Sequence, residues 1–256
     1  MRHFKINTIL VTLRGLQGRT GRGLFGLLLI FFLFFTNSYS NYPNFLSDSI
    51  ITGKSRFPDW KVFAGMAGAV GATLVIDKNI STFMYDNQKN FWKKFCKISD
   101  LGGEKNVIVP ALLITYGTSF LIKSEKLQLT AEASIKSAIT SFIFTETFKQ
   151  VFGRARPYMD MGAFHSRPFP ILDDKFKSMP SGHTSVAFAI FTPFAENYTR
   201  WFYCIPVAVA FGRVYQNRHW VSDVIAGGSI GFLSGYFFVH GRRQIEIIPN
   251  GFRIYF

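Results

Sequence analysis

The chain has 256 residues, two cysteines and a formal charge of +14, with 48% hydrophobic residues, 30 phenylalanines and a mean hydropathy of +0.17. That length suits one domain with a full core, and the hydropathy is high for a soluble protein yet modest for one made mostly of membrane spans. Two distant cysteines could pair in an oxidising compartment but neither make a metal site nor prove a disulfide, and basic residues without a clustered stripe argue against a nucleic-acid partner.

Residues 1–40 hold five Lys and Arg and no acid, then an apolar core from Leu24 to Phe35 and a polar end at Thr36 to Ser40. This pattern predicts a secretory signal cleaved before Asn41, or an uncleaved anchor with its basic end in the cytoplasm. Residues 41–60 read as a polar linker or arm, residues 61–243 as the main domain, and residues 244–256 as a small β-hairpin around Pro249-Asn250-Gly251. Val62 to Ile76 is an apolar helix rich in Gly and Ala, and Ile80 to Ile98 an amphipathic stretch readable as an interfacial or an ordinary surface helix. Val107 to Ile122 is a further apolar run. Thr130 to Phe152 is a long helix whose Glu132, Lys136, Glu146 and Lys149 make it too polar to lie fully in lipid. A long insert, 158–179, is placed to act as a lid or specificity element. Helices are then expected over Ser185 to Asn197, Phe202 to Arg213 and Val221 to Val239. No apolar run exceeds about 19 residues, short of the ~20 of a full span, so the bundle is expected to be peripheral to the membrane or partly embedded. Cys96 and Cys204 read as buried thiols.

Three clusters carry the chemistry. Lys149 and Arg156 are seven residues apart, on one face near a helix end, and Pro157 places Arg156 at the terminus. Pro180, Ser181, Gly182 and His183 lead into an apolar run, so Ser181 reads as a helix cap with free N–H groups behind it, a setting that attracts anions. Arg213 precedes His219 by six residues, and His219 and Asp223 are four apart, a spacing that lets the carboxylate accept from one ring nitrogen. Such a set suits phosphoryl transfer through histidine. His219 attacks phosphorus, Asp223 fixes its tautomer, and His183 protonates the leaving oxygen and then activates water. Lys149, Arg156, Arg213 and the Ser181-Gly182 N–H groups hold the other oxygens. Three neighbouring cations oppose a divalent ion, so neither a metal nor a cofactor is expected. Arg154 and Arg218 lie inside the motifs, where a surface role is at least as good a reading as substrate contact.

These clusters resemble the signature of the type 2 phosphatidic acid phosphatase (PAP2) superfamily, which includes class A acid phosphatases and vanadium haloperoxidases. Lys149, Arg156 and Pro157 match its first motif, Pro180 to His183 its second, and Arg213, His219 and Asp223 its third, where Gly212 replaces the usual Ser. The resemblance implies an all-α bundle of about six core helices in the cell envelope, with its site facing the periplasm. It also implies a metal-independent phosphatase acting on phosphomonoesters or pyrophosphates, most readily of lipids of the phosphatidic acid or isoprenoid type. A broad-specificity periplasmic acid phosphatase is the competing reading, ahead of a vanadate-dependent haloperoxidase or a non-catalytic membrane scaffold.

Overall fold

A computed structural model describes residues 58–240 and the backbone of strands β1 (Ile245–Ile248) and β2 (Gly251–Ile254). The expected export segment and most of the arm lie outside the described residues. Seven α-helices follow one another: α1 (Trp60–Asp86), α2 (Asn90–Asp100), α3 (Lys105–Leu121), α4 (Glu125–Phe152), α5 (Gly182–Asn197), α6 (Cys204–Tyr215) and α7 (Val221–His240). The strands pair antiparallel, Ile245 opposite Ile254 and Ile248 opposite Gly251.

The seventh helix arises where one amphipathic stretch was expected over Ile80 to Ile98. α1 runs through the first part of it and stops at Asp86. The corner at 87–89 is held from α6, because Gln88 Nε2 donates to the Tyr215 carbonyl at 2.8 Å and the Lys89 N–H donates to the Tyr215 hydroxyl at 2.5 Å. α2 then starts in a new direction, a tertiary override of a continuous pattern.

α1 and α4 contain 27 and 28 residues. They are therefore about 40 Å long at 1.5 Å per residue, longer than the apolar runs inside them, because their polar ends are helical too. Ser124 Oγ caps α4 by accepting from the Leu127 N–H. Gly153 stops the helix in the left-handed region at φ 52°. A Cβ there would also lie 1.8 Å from the Arg167 carbonyl oxygen, so only glycine lets the following insert fold back over the helix end.

α5 is the central helix. Gly227 and Gly231 of α7 press on it so closely that a Cβ would meet the Ser181 carbonyl oxygen at 2.4 Å and the Ser185 carbonyl oxygen at 2.1 Å. Small residues thus bring two backbones into contact and clamp the Pro180–His183 segment against α7. At one end of the bundle Met84, Phe211, Tyr215, Val221 and Val224 pack together; at the other, Met66, Phe188, Tyr203, Phe232 and Tyr236 do. α1 therefore rises from the second end to the first, where the motifs collect.

α4 is polar inside and apolar outside. Its buried face is Thr130, Ala131, Ala133, Ser134, Ser137, Ser141 and Thr145, whereas Ile139, Phe142, Ile143, Phe144, Phe148 and Val151 are exposed. The buried hydroxyls are satisfied locally or by α5: Ser134 Oγ donates to the Ile190 carbonyl at 2.9 Å, and Thr145 Oγ1 donates to Ser185 Oγ at 2.8 Å. Two ion pairs lie along α4, Lys136 with Glu132 and Lys149 with Glu146. α1 and α7 are long and apolar enough to cross a membrane, and α7 is mostly buried within the bundle. Both cysteines are free. Cys96 is buried, and its thiol is pushed up to about 12 by burial and by Asp100. Cys204 is exposed, against the expectation of two buried thiols, because it opens α6 at the bundle rim.

Candidate active site

All eight residues singled out from the sequence gather at the end of the bundle where α1, α4 and α6 finish and α5 and α7 begin. Lys149 lies in the last turn of α4, its ammonium paired with Glu146 at 2.7 Å. A Cβ on Gly182 would sit 3.0 Å from Lys149 Nζ, so glycine at the start of α5 makes room for that ammonium. Arg156 is not on the helix, since α4 stops at Phe152. It stands four residues further on in extended backbone (φ −75°, ψ 151°). Its guanidinium is held by the insert, Nε donating to the Asp174 carbonyl at 2.9 Å and Nη2 pairing with Asp174 Oδ2 at 2.8 Å. Arg213, in the last turn of α6, pairs with Asp100 Oδ1 at 3.4 Å. Its buried Nε has no hydrogen-bond partner among the described residues, an unsatisfied donor suited to an anion.

The second motif differs from its sequence reading. Ser181 does occupy the N-cap of α5, but its hydroxyl bonds no backbone N–H and instead pairs with Thr184 Oγ1 at 3.1 Å. The Ser181 N–H is taken as well, donating to the Asp223 carbonyl at 2.9 Å. The anion-attracting N–H groups are therefore those inside the first turn, from Gly182 onward. His183 is the most open of the group, 28% exposed, with Nε2 3.2 Å from Glu104 Oε2.

His219 is only 2% exposed. Its Nδ1 lies 2.8 Å from the Ser178 carbonyl oxygen and 3.7 Å from Asp223 Oδ2, so the hydrogen bond expected from the four-residue spacing goes to a backbone carbonyl instead. Asp223 acts on the ring at one remove, because Ser178 Oγ donates to Asp223 Oδ2 at 2.5 Å. With Nδ1 engaged, Nε2 is the free nitrogen. Burial, then Arg156, Arg213, Lys149 and His183, hold the His219 imidazole well below its ordinary range, which keeps it an unprotonated base at neutral pH and places all four groups within its field.

Arg154 was read as at least as much a surface residue; it is buried and sits at the centre of the deepest polar network. Nη1 donates to Asp223 Oδ1 at 2.6 Å, Nη2 to Asp77 Oδ2 at 2.8 Å, and Nε to the Ala163 carbonyl at 2.6 Å. Asp77 also accepts from the Ser222 N–H at 2.9 Å. Sequence reasoning passed over Asp77, Asp100, Glu104 and Ser178. Asp77 carried a signal, a carboxylate directly after the apolar Gly/Ala-rich run Val62 to Ile76. Gly212 is explained by the same packing, because a Cβ there would lie 2.7 Å from Ser99 Oγ and 3.5 Å from Asp100 Oδ1. The missing side chain lets α2 close on α6 and deliver Asp100 to Arg213. Among the described residues no group of three His, Cys, Asp or Glu side chains is placed to hold a metal ion.

A helical bundle that collects two histidines, a buried carboxylate and three cations at one end has the chemistry of an oxyanion site. Residues 133–246 match the model of the PAP2 superfamily. It is similar to two lipid A 1-phosphatases of Rhizobium. The identity is 31% over 124 residues with that of Rhizobium johnstonii, covering 45% of this chain and 50% of the relative. With that of Rhizobium etli it is 34% over 139 residues, covering 47% and 60%. The chain thus spans half to three-fifths of the length of these relatives. Among solved structures it is similar to a transmembrane PAP2-type phosphatidylglycerolphosphate phosphatase from Bacillus subtilis, with a TM-score of 0.49, 21% identity, and coverage of 70% of this chain and 91% of the other. For Aquifex aeolicus LpxE the TM-score is 0.49 and the identity 19%, with 64% and 94% covered.

Proposed function

We propose that the chain is a metal-independent lipid phosphatase that works through a phosphohistidine at His219. The observation that carries this reading is a buried His219 whose Nδ1 is engaged by the Ser178 carbonyl, gathered at one end of the bundle with Lys149, Arg156, Arg213 and His183. A neutral imidazole with one free nitrogen beside three cations is equipped to attack a phosphorus whose other oxygens are already held.

In this mechanism the phosphate oxygens are gripped by Lys149, by the Arg156 and Arg213 guanidinium groups and by the first N–H groups of α5. His219 Nε2 attacks in line and becomes positively charged. That charge is met by the Ser178 carbonyl and, behind it, by Asp223, which Arg154, Ser178 and the Trp220 N–H fix in place. His183, the more open of the two histidines, protonates the departing alkoxide; burial and Arg213 hold its imidazole below the ordinary range and favour proton release, and Glu104 beside it partly offsets them. The same imidazole then takes a proton from water, which attacks phosphorus and frees His219. Arg154 and Asp77 are positioning residues that act through Asp223.

The lipid substrate is supported by the outward apolar face of α4 and by similarity to lipid A 1-phosphatases, which makes the phosphate of a lipid A-type glycolipid a candidate beside phosphatidic acid. Membrane embedding is supported by the same apolar surface, and the reading sets the site end at the periplasmic face. An exported, broad-specificity acid phosphatase is the second reading, and soluble esters tell the two apart.

The test is phosphate release by purified protein in EDTA from p-nitrophenyl phosphate and phosphatidic acid in parallel, with His219→Ala as control. Release that survives EDTA and is lost in the variant is expected. Release abolished by EDTA, or undiminished in the variant, refutes the mechanism.

A further inference from the structure

The insert between the first two motifs carries large apolar side chains pointing outward. Phe164, Phe169, Ile171 and Leu172 are 73%, 70%, 72% and 98% exposed. Singly exposed apolar residues are ordinary, but four within nine residues of one loop are not.

This loop is a built structure. The Ala155 N–H donates to the His165 carbonyl at 2.9 Å, the Arg167 N–H to the Gly153 carbonyl at 2.6 Å, and the Phe169 N–H to the Gln150 carbonyl at 2.6 Å. Lys177 Nζ closes the tip by donating to the Ile171 carbonyl at 2.8 Å. Phe169 is held at φ 58°, a conformation that a bulky residue adopts only when its surroundings impose it. Folding therefore fixes the backbone so that the apolar tip faces away from the core.

Two neighbours say what the tip meets. One is the exposed face of α4, where Phe144, Phe148 and Phe152 stack at centroid separations of 6.4 and 5.9 Å. The tip is tied to the end of this stripe by the bond from the Phe169 N–H to the Gln150 carbonyl. The other is charge. Arg167 and Lys175 are exposed beside the tip and the Lys177 ammonium sits on it, three cations against Asp173 and Asp174, of which Asp174 is paired with Arg156. Asp160, the remaining acid of the insert, lies at its beginning, past the 3-10 turn at Pro157–Met159. Apolar side chains flanked by cations suit the boundary between anionic headgroups and acyl chains.

We infer that Phe169, Ile171 and Leu172 dock into the surface of an anionic lipid bilayer beside the mouth of the phosphate site. Because the same loop grips the Arg156 guanidinium through Asp174, docking places that arginine at headgroup depth. This inference rests on the lipid-phosphatase reading and adds to it the surface from which the substrate is taken.

The experiment uses the full chain reconstituted in phosphatidylcholine vesicles containing phosphatidic acid. In a Cys204→Ser background, Leu172→Cys is labelled with an environment-sensitive fluorophore. Blue-shifted emission that brominated lipids quench is expected; water-like emission unaffected by bromolipid overturns the inference, whatever the catalytic activity. In parallel, Ile171→Ser with Leu172→Ser is expected to raise the KM for vesicle phosphatidic acid about tenfold while leaving hydrolysis of p-nitrophenyl phosphate in detergent unchanged. An unaltered KM for the vesicle substrate also overturns it. Failure of the wild type to release phosphate from either substrate counts against the phosphatase reading instead, and the fluorescence result stands apart from it.

Discussion

Replacing Arg154 by methionine tests the deepest part of the site. Arg154 stands between Asp77 Oδ2 at 2.8 Å and Asp223 Oδ1 at 2.6 Å, with its side chain 5% exposed and both carboxylates at 0%. Methionine fills similar volume without charge and leaves two buried carboxylates without their common partner. Breaking one buried ion pair from one side costs about 3–5 kcal/mol, a large fraction of a total stability of roughly 5–15 kcal/mol. At about 2–4 °C per kcal/mol for a domain of this size, melting should fall by roughly 6–20 °C. Turnover should fall with it, towards the level of Asp223→Asn, because Asp223 loses the group that aims it, while KM for the phosphate ester changes little. Adding Asp77→Asn removes the second carboxylate charge and should restore part of the loss, a coupling of about 1–3 kcal/mol in a double-mutant cycle. Arg154→Lys should be intermediate, since one ammonium cannot span both acids as a fork does. Thermal melting in detergent and steady-state kinetics on the same preparations supply the numbers. Melting within a degree or two of wild type together with normal kcat in Arg154→Met would refute the reasoning.

The other predictions concern the rim and the nucleophile. Gly212→Ser, which installs the usual family residue, should lower kcat/KM, because its Cβ would enter the space of Ser99 Oγ at 2.7 Å and push Asp100 away from Arg213; an unchanged or faster enzyme contradicts this. Gly182→Ala puts a methyl 3.0 Å from Lys149 Nζ and should raise KM more than it lowers kcat, read from steady-state kinetics. The lowered His219 pKa fixes the sign of a pH effect. The folded state binds fewer protons than the unfolded one below about pH 6.5, the ordinary imidazole value, so this group makes stability decline as pH falls through that region. His219→Gln should flatten that limb of a melting-versus-pH curve, and an identical limb in the variant would show that other groups cause it.

The sequence carried the chemistry further than the architecture around it. Lys149, Arg156, His183, Arg213, His219 and Asp223 were legible because each lies in a short motif whose spacing is local. Their neighbours were not, because Asp77 reaches the site from α1, 77 residues before Arg154 and 145 before Ser222, and Asp100 reaches it from α2, more than a hundred residues before Arg213. No periodicity records such a meeting. Arg154 was visible but misjudged, since a charge between a glycine and an alanine has no local mark of burial. The helices were well placed except between residues 80 and 98, where Tyr215 of α6 imposes a corner that local pattern cannot announce. The bond from His219 to Ser178 was equally hidden. A four-residue spacing to Asp223 brings the groups near, but the chain turn at 178–181 places a carbonyl closer still.

The most direct test of the account is to rapidly quench the working enzyme and locate the phosphoryl group by mass spectrometry under alkaline conditions that preserve phosphohistidine. The account predicts phosphate on the imidazole of His219 during turnover, accumulating when His183→Ala slows its hydrolysis and absent in His219→Ala. Phosphate on another side chain, or phosphate release by His219→Ala at the wild-type rate, would contradict it.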